Sequence, residues 1–201
     1  MGVYSVHGTS KYCYPGSTVL VNRLNIRDQA ELDRVERQIV LLKSAVAERE
    51  MPFRDVNFPY YLDLHRMLFA ELYEWAGTLR EIDMSKKGTD FYPVKELERL
   101  GELRFQRLAK DNYLCGLRQK QFADALAALY HDLNMLHPFR EGNGRTERLF
   151  LTLLVRNAGY DIRFAGCDRD LLMIAAIQAA QGDISLLRDT LFSLLREIPP
   201  A

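Results

Sequence analysis

The chain has 201 residues, of which 48% are hydrophobic, and its 27 basic and 27 acidic residues cancel to a formal net charge of zero. This length is typical of one domain with a substantial core, and the charge balance gives no global field that would attract nucleic acid or an anionic membrane. The sequence contains neither an apolar run of about 18 residues, as a transmembrane helix needs, nor the basic and apolar regions of a signal peptide.

The first part of the chain predicts an irregular arm and then two helices. Residues 1–27 lack a helical period and contain the turn-forming pair Pro15 and Gly16. Asp28 is a suitable N-cap for a helix that extends to about Arg49. The predicted buried positions of this helix are Leu32, Val35, Ile39, Leu42 and Val46. A second helix is predicted from about Pro59 to Gly77, with an apolar face of Leu64, Leu68, Leu72 and Trp75.

The helical period breaks between residues 78 and 93. Leu79, Ile82 and Phe91 suit a short β-hairpin that turns at Gly88. We therefore predict a small β-hairpin over residues 78–93.

Helices resume after the hairpin. They are predicted over residues 94–110 and 120–136, from residue 143 to about residue 159, and over residues 168–181 and 183–197. The sequence shows no internal repeat, linker or low-complexity segment. The predicted fold class is therefore all-α, a helical bundle with a small hairpin in one domain of residues 1–201.

The segment from His137 to Arg148 concentrates the chemistry of the chain. Gly142 and Gly144 bracket Asn143, so consecutive backbone N–H groups can point into one concavity. A helix that begins here adds its free amides and the positive end of its dipole. The pattern predicts a phosphate-binding site.

Side chains in the same segment suit that ligand. Arg145 and Arg148 are three residues apart, so on a helix they share a face, and each can bind phosphate in a bidentate manner. Glu141 can supply an oxygen ligand to Mg²⁺. A neutral His137 imidazole could take a proton from a hydroxyl. The alternative is a glycine turn between two helices, with a structural histidine and solvated arginines.

These residues resemble the signature of the Fic family, His-x-Phe-x-(Asp/Glu)-Gly-Asn-Gly-Arg-x-x-Arg. The defining positions are all present, as His137, Phe139, Glu141, Gly142, Asn143, Gly144, Arg145 and Arg148. The stretch from Tyr73 to Gly77 also resembles the Trp-Ala-Gly segment before the family's hairpin flap. The resemblance implies the Fic fold and transfer of AMP from ATP to a hydroxyl side chain of a target protein. The related Doc kinases have Ala and Lys where this chain has Gly142 and Arg145, which favours AMP transfer over γ-phosphate transfer.

The resemblance also implies roles for residues. His137 would be the general base, Mg²⁺ would bind Glu141, and Phe139 would anchor the loop by packing inward. The backbone of residues 142–144 and the Asn143 side chain would stabilise charge on the α-phosphate, while Arg145 and Arg148 would hold the β- and γ-phosphates. The flap would dock the target by strand addition, through Lys86, Lys87, Gly88 and Phe91. For the two lysines, a solvated turn is the alternative.

Regulation in the family often uses a helix with the motif (Ser/Thr)-x-x-x-Glu-(Gly/Asn), whose glutamate pairs with the second arginine of the signature. The matches in this chain are Ser44 to Glu48 and Ser193 to Glu197, and neither is followed by Gly or Asn. We therefore expect that a separate small antitoxin supplies a glutamate against Arg148, and that the enzyme is toxin-like.

Three functions remain open from the sequence. The first is the protein adenylyltransferase; the second is an enzyme of the same fold that transfers another phosphate-containing group; the third is a catalytically silent helical interaction module. The odd number of cysteines, without CxxC spacing, is typical of reduced thiols. We therefore expect a cytoplasmic bacterial protein, with secretion into a host as a further possibility.

Overall fold

The computed structural model describes residues 5–6 and 11–198 as a helical bundle with two small β-sheets. The α-helices are α1 (Gln29–Glu50), α2 (Phe58–Phe69), α3 (Leu97–Lys110), α4 (Gln119–Leu136), α5 (Asn143–Asn157), α6 (Arg169–Ala180) and α7 (Ser185–Leu194). The strands are β1 (Ser5–Val6), β2 (Met84–Lys86), β3 (Thr89–Asp90), β4 (Tyr160–Ile162) and β5 (Leu195–Glu197). The all-α class with a small hairpin is thereby confirmed. None of the helices in the described part of the chain has the length and apolar character needed to span a bilayer.

α5 forms the centre of the bundle and packs against α1, α2 and α4. Its predicted apolar face is confirmed, because Leu149, Leu153 and Leu154 are buried. Since α5 packs against several helices, residues from different parts of the chain lie close to its first turn.

Side-chain caps begin the first two helices, and the first of these caps is the one that the sequence predicts. The carboxylate of Asp28 accepts a hydrogen bond from the Glu31 amide at 2.8 Å, and α1 starts at the next residue. Asn57 caps α2 in the same way through the Tyr60 amide at 2.9 Å. The predicted extent of α2 to Gly77 is wrong. α2 ends at Phe69, whose carbonyl accepts hydrogen bonds from the amides of both Leu72 and Tyr73, and the chain continues as turns.

The predicted buried face of α1 is only partly correct. Leu32 is buried, but Leu42 is 69% exposed, and the other buried residues are Glu36, Val40 and Ala47. Glu36 belongs to the buried face because its carboxylate pairs with the guanidinium of Arg145.

The predicted hairpin is present, with β2 and β3 antiparallel and a turn at Lys87 and Gly88. The opposite edge of β2 pairs with β1, so that Ser5 faces Ser85 and Val6 faces Met84. The N-terminal arm of residues 1–27 is therefore not irregular throughout; residues 1–4 and 7–10 of that arm lie outside the described residues.

The predicted last helix also ends early, at Leu194. Residues 195–197 form β5, which pairs antiparallel with β4 just after α5. Leu195 and Ile162 are cross-strand partners, and both are buried. Burial of this apolar pair explains why the chain leaves the helix.

Candidate active site

The loop of residues 137–142 joins α4 to α5 and places a histidine close to the start of a helix. His137 ends α4 with a left-handed backbone (φ 42°, ψ 57°), and Gly142 precedes α5 with φ 83°. Between them, Phe139 is fully buried and stacks on the His65 ring at a centroid distance of 3.8 Å. Phe139 therefore packs inward, in the position expected for an anchor.

Asn143 holds this loop closed. Its Oδ1 accepts a hydrogen bond from the Phe139 amide at 2.9 Å, and its Nδ2 donates one to the Phe139 carbonyl at 2.7 Å. The side chain expected to stabilise phosphate is thus occupied by the loop backbone. Backbone amides at a helix start suit an anion, and those of Asn143 and Gly144 are the ones here that neither the Glu141 carboxylate nor the Gly142 carbonyl engages.

The two glycines beside Asn143 meet different constraints. A Cβ on Gly142 would lie 2.4 Å from the Phe69 ring, and its positive φ is strained for other residues. A Cβ on Gly144 would meet only the end of the Arg148 side chain, at 3.1 Å. Gly142 is therefore required by the fold itself, whereas Gly144 leaves space next to Arg148.

His137 is buried and has a defined tautomer. Its Nδ1 lies 3.1 Å from the Asn134 carbonyl, which can only accept, so Nδ1 carries the proton and Nε2 is the basic nitrogen. Its ring stacks on Phe91 with centroids 3.7 Å apart and planes 3° from parallel. Burial lowers the pKa of His137 to about 3; the bond to Asn134 opposes this shift, and the positive charges of Lys86 and Arg80 add to it. The imidazole is therefore neutral at physiological pH.

Glu141 is held at both its backbone and its side chain. Its carbonyl accepts a hydrogen bond from His65 Nε2 at 3.0 Å, and its carboxylate accepts one from the Gly142 amide at 2.9 Å. His65 Nδ1 in turn accepts a hydrogen bond from the Gly77 amide at 2.8 Å. Burial lowers the pKa of His65 to about 3 despite the bond to Glu141, so this histidine is a neutral bridge between two loops.

Glu36 is a site residue that the sequence analysis missed. Its Oε1 lies 2.6 Å from Arg145 Nη1, it accepts a hydrogen bond from the Tyr73 hydroxyl, and it is 1% exposed. Arg145 also lies 3.4 Å from the Glu141 carboxylate and over the Phe69 ring. The first arginine of the motif is therefore engaged by protein groups and orients Glu141. A signal existed in the sequence, because Glu36 lies four residues from both Leu32 and Val40 on one helical face.

The hairpin brings some of its predicted docking residues to this site and not others. Lys86 is half-buried, and Glu141 and Arg148 are among the charges that act on it; burial lowers its pKa while Glu141 opposes the shift. Phe91 is buried against His137. Lys87 and Gly88 are exposed at the turn, both with positive φ.

A cavity of about 310 Å³ adjoins the start of α5. Its lining residues are Ser44, Glu48, Arg145, Arg148, Leu149, Thr152, Arg156, Ile162, Arg163 and Phe164. Glu48 lies in this cavity with Arg148 but forms its ion pair with Arg156, at 2.9 Å. The cavity thus has an apolar part and a strongly cationic part.

Residues 5–6 and 11–198 contain no group of three or more His, Cys, Asp or Glu side chains that could enclose a metal ion. Mg²⁺ commonly binds one or two carboxylates and completes its shell with phosphates and water. The single carboxylate of Glu141, beside the backbone amides at the start of α5, fits that mode of binding.

Comparison with known proteins agrees with this geometry. The model of the Fic/DOC family matches residues 55–155, which include the loop and most of α5. A protein of Escherichia coli (strain K12) named "Probable protein adenylyltransferase Fic" is 34% identical over 90% of each chain. A Sinorhizobium fredii protein named "Probable protein adenylyltransferase y4lH" is 39% identical over 87% of this chain and 90% of its own length. The crystal structure of BepC from Bartonella tribocorum, with bound AMPPNP, has a TM-score of 0.87 at 26% identity and covers 93% of this chain and 97% of its own.

The buried histidines predict a pH dependence of stability. Because the folded pKa of His137 is about 3 and its unfolded value is 6.5, only the unfolded chain takes up this proton as the pH falls below 6.5. Between pH 7 and pH 5, this histidine should lower the free energy of unfolding by about 2 kcal/mol. Chemical denaturation at both pH values gives the decrease in the free energy of unfolding for wild type and for His137→Ala. The contribution of His137 is the difference between these two decreases. Glu147, whose pKa burial raises, shifts stability in the opposite direction but is present in both proteins. If the free energy of unfolding decreases equally in the two proteins, the low pKa of His137 in the folded state is contradicted.

We expect the same substitution to have different effects on stability at the two glycines. Gly142→Ala should destabilise the fold by about 2 kcal/mol or more, since the methyl group meets Phe69 at a positive φ. Gly144→Ala is the matched control and should change stability by less than about 1 kcal/mol, because only the end of Arg148 has to move. Urea denaturation of both variants tests this, and similar losses in the two would refute it.

Proposed function

This chain belongs to the Fic/DOC family, and from that membership we propose that it is a protein adenylyltransferase, which transfers AMP from ATP to a hydroxyl side chain of a target protein. The observation that carries the proposal is the loop of residues 137–142. It joins a neutral imidazole with a basic Nε2 to a helix start with free backbone amides. These are the two groups that AMP transfer needs, a base for the hydroxyl and donors for the phosphate.

The reaction forms one bond and breaks another at the α-phosphorus of ATP. The target oxygen forms a bond to phosphorus, its proton moves to His137 Nε2, and the bond from the α-phosphorus to the bridging oxygen breaks to release pyrophosphate. The backbone amides of Asn143 and Gly144 hold the charge that develops on the α-phosphate oxygens, because the Gly142 amide is bonded to the Glu141 carboxylate. Asn143 supports them by fixing the loop through Phe139.

The cationic side chains take separate roles in this proposal. Arg148 binds the β- and γ-phosphates from the cavity that it lines. Arg145 mainly orients Glu141, because Glu36 and Glu141 already engage it, and its remaining exposed part supports the phosphates. Mg²⁺ would be held by Glu141 and would compensate charge on the nucleotide phosphates.

Target docking is proposed at the hairpin. Lys86 and Phe91 lie close enough to His137 to border an incoming hydroxyl. Main-chain hydrogen bonds to the sheet would fix the register of a target segment. Because β1 pairs with β2 on the side opposite β3, a target segment that uses this edge of β2 has to displace β1.

Control by a separate antitoxin is proposed at the cavity next to Arg148. Four arginines and the apolar side chains of Leu149, Ile162 and Phe164 line it, which suits an amphipathic helix that carries a glutamate. The two internal candidates have other places in the fold: Glu48 pairs with Arg156, and Glu197 lies in β5. We expect the enzyme to act where ATP is available, in the cytoplasm of the bacterium or of a cell that receives it.

Removal of the base predicts loss of transfer. His137→Ala should reduce labelling of a target by at least about 100-fold, since general-base catalysis contributes that much or more. The assay is incubation with bacterial lysate and ATP labelled at the α-phosphate, with ATP labelled at the γ-phosphate in parallel to detect phosphate transfer. His131→Ala, on the same helix, is the control and should retain labelling. An undiminished rate in His137→Ala would overturn the role of His137, and labelling from the γ-position alone would overturn AMP transfer.

The antitoxin proposal predicts that the isolated chain is active. Glu48→Ala and Glu197→Ala should then change labelling by less than about twofold, because Glu48 pairs with Arg156 and Glu197 lies in β5. The same α-labelled ATP assay measures both variants beside wild type. A wild-type protein that is inactive until Glu48 or Glu197 is replaced would show internal inhibition instead.

A further inference from the structure

Arg80 is a fully buried cation that the proposed reaction does not use. It is 1% exposed and has the largest side chain among the most deeply buried residues. Its nearest carboxylate, on Asp83, lies 3.8 Å away and is itself 60% exposed. A buried guanidinium is costly to desolvate, so its hydrogen bonds indicate what it does.

All of these hydrogen bonds reach backbone carbonyls in two segments. The Nε of Arg80 donates to the His137 carbonyl at 2.8 Å, and its own amide donates to the Pro138 carbonyl at 2.8 Å. Its Nη1 donates to the Ile82 carbonyl at 2.8 Å, and its Nη2 donates to the Tyr92 carbonyl. Ile82 precedes β2 and Tyr92 follows β3. One side chain therefore joins both ends of the hairpin to the catalytic loop.

Two further contacts define what this connection controls. The Tyr92 amide donates to the Met135 carbonyl, at the end of α4, at 3.0 Å. Phe91, next to Tyr92, stacks on the His137 ring. Arg80, the Tyr92–Met135 hydrogen bond and the Phe91–His137 stack therefore hold the hairpin against the end of α4 together.

Arg80 makes no direct hydrogen bond to the start of α5. Within residues 5–6 and 11–198, the hydrogen bonds of Arg80 go to residues 82, 92, 137 and 138, and none goes to residues 141–148. Loss of Arg80 should therefore alter the place of the hairpin without altering the amides and arginines that face phosphate.

We propose that Arg80 is a positioning residue for the acceptor side of the transfer reaction: it fixes the hairpin at one distance and orientation from His137, so that a hydroxyl presented there reaches Nε2. This rests on the proposed function for its catalytic consequence. The positioning itself is a property of the free protein. The two parts can therefore be tested separately.

The experiment compares wild type with Arg80→Gln, which removes the cation and most donors, and Arg80→Lys, which keeps the cation but cannot reach all three side-chain acceptors. Arg99→Gln is the control, because Arg99 is an exposed arginine paired with Glu96 on the surface. Three quantities are measured: labelling of lysate protein from α-labelled ATP, affinity for AMPPNP with Mg²⁺ by calorimetry, and the proton chemical shifts of the His137 ring. Those shifts carry the ring current of Phe91 and can be assigned with His137→Ala.

Both Arg80 variants should lower labelling by about 100-fold, the effect expected of a misplacement near 1 Å, while affinity for AMPPNP changes by less than about twofold. The His137 ring shifts should move toward random-coil values, and Arg99→Gln should match wild type in all three measurements. Unchanged His137 shifts would overturn the proposal whether or not wild type transfers AMP, and so would an equal loss of AMPPNP affinity and labelling. Failure of both variants to fold would also overturn it, because Arg80 would then serve stability alone. If wild type itself labels nothing while the shifts respond to Arg80, the positioning stands and the proposed reaction fails.

Discussion

The amide side chain of Asn143 bonds to both backbone groups of Phe139, and the shape of the α4–α5 loop depends on this pair of contacts. The loop has left-handed residues near both ends, at His137 and Gly142, and for His137 this conformation costs free energy in an isolated chain. Phe139, buried against His65, offsets part of that cost. Because the loop is fixed in this way, His137 and the start of α5 keep one relative position before any ligand arrives.

The surroundings of the loop consist of buried polar groups that are paired across long sequence separations. His65 bridges Gly77 to Glu141, Arg145 bridges Glu36 to Glu141, and Arg80 bridges the hairpin to His137. A buried group that loses its partner pays its full desolvation penalty. The site is therefore resistant to partial rearrangement, since each bridge would leave an unpaired polar group if it opened.

The buried position of His137 has a consequence for its chemistry. A pKa of about 3 keeps the imidazole neutral but makes it a weak proton acceptor. Lys86 and Arg80 contribute to that low value through their positive charges. In the proposed reaction, the negative charge of a nucleotide at the start of α5 would oppose those two charges and raise the pKa of His137.

The sequence by itself determined the elements whose signals are local. Asp28 marks the start of α1, the glycines mark the start of α5, and the motif from His137 to Arg148 identifies the chemistry, because these signals depend on residues a few positions apart. Only the tertiary structure decided which face of α1 is buried, where α2 ends, and that residues 195–197 form a strand. It also decided that Arg145 binds Glu36 and that Arg80 reaches His137, 57 positions away. The physical reason is that a charged residue is buried only when a distant partner compensates its lost hydration, and no local pattern names that partner.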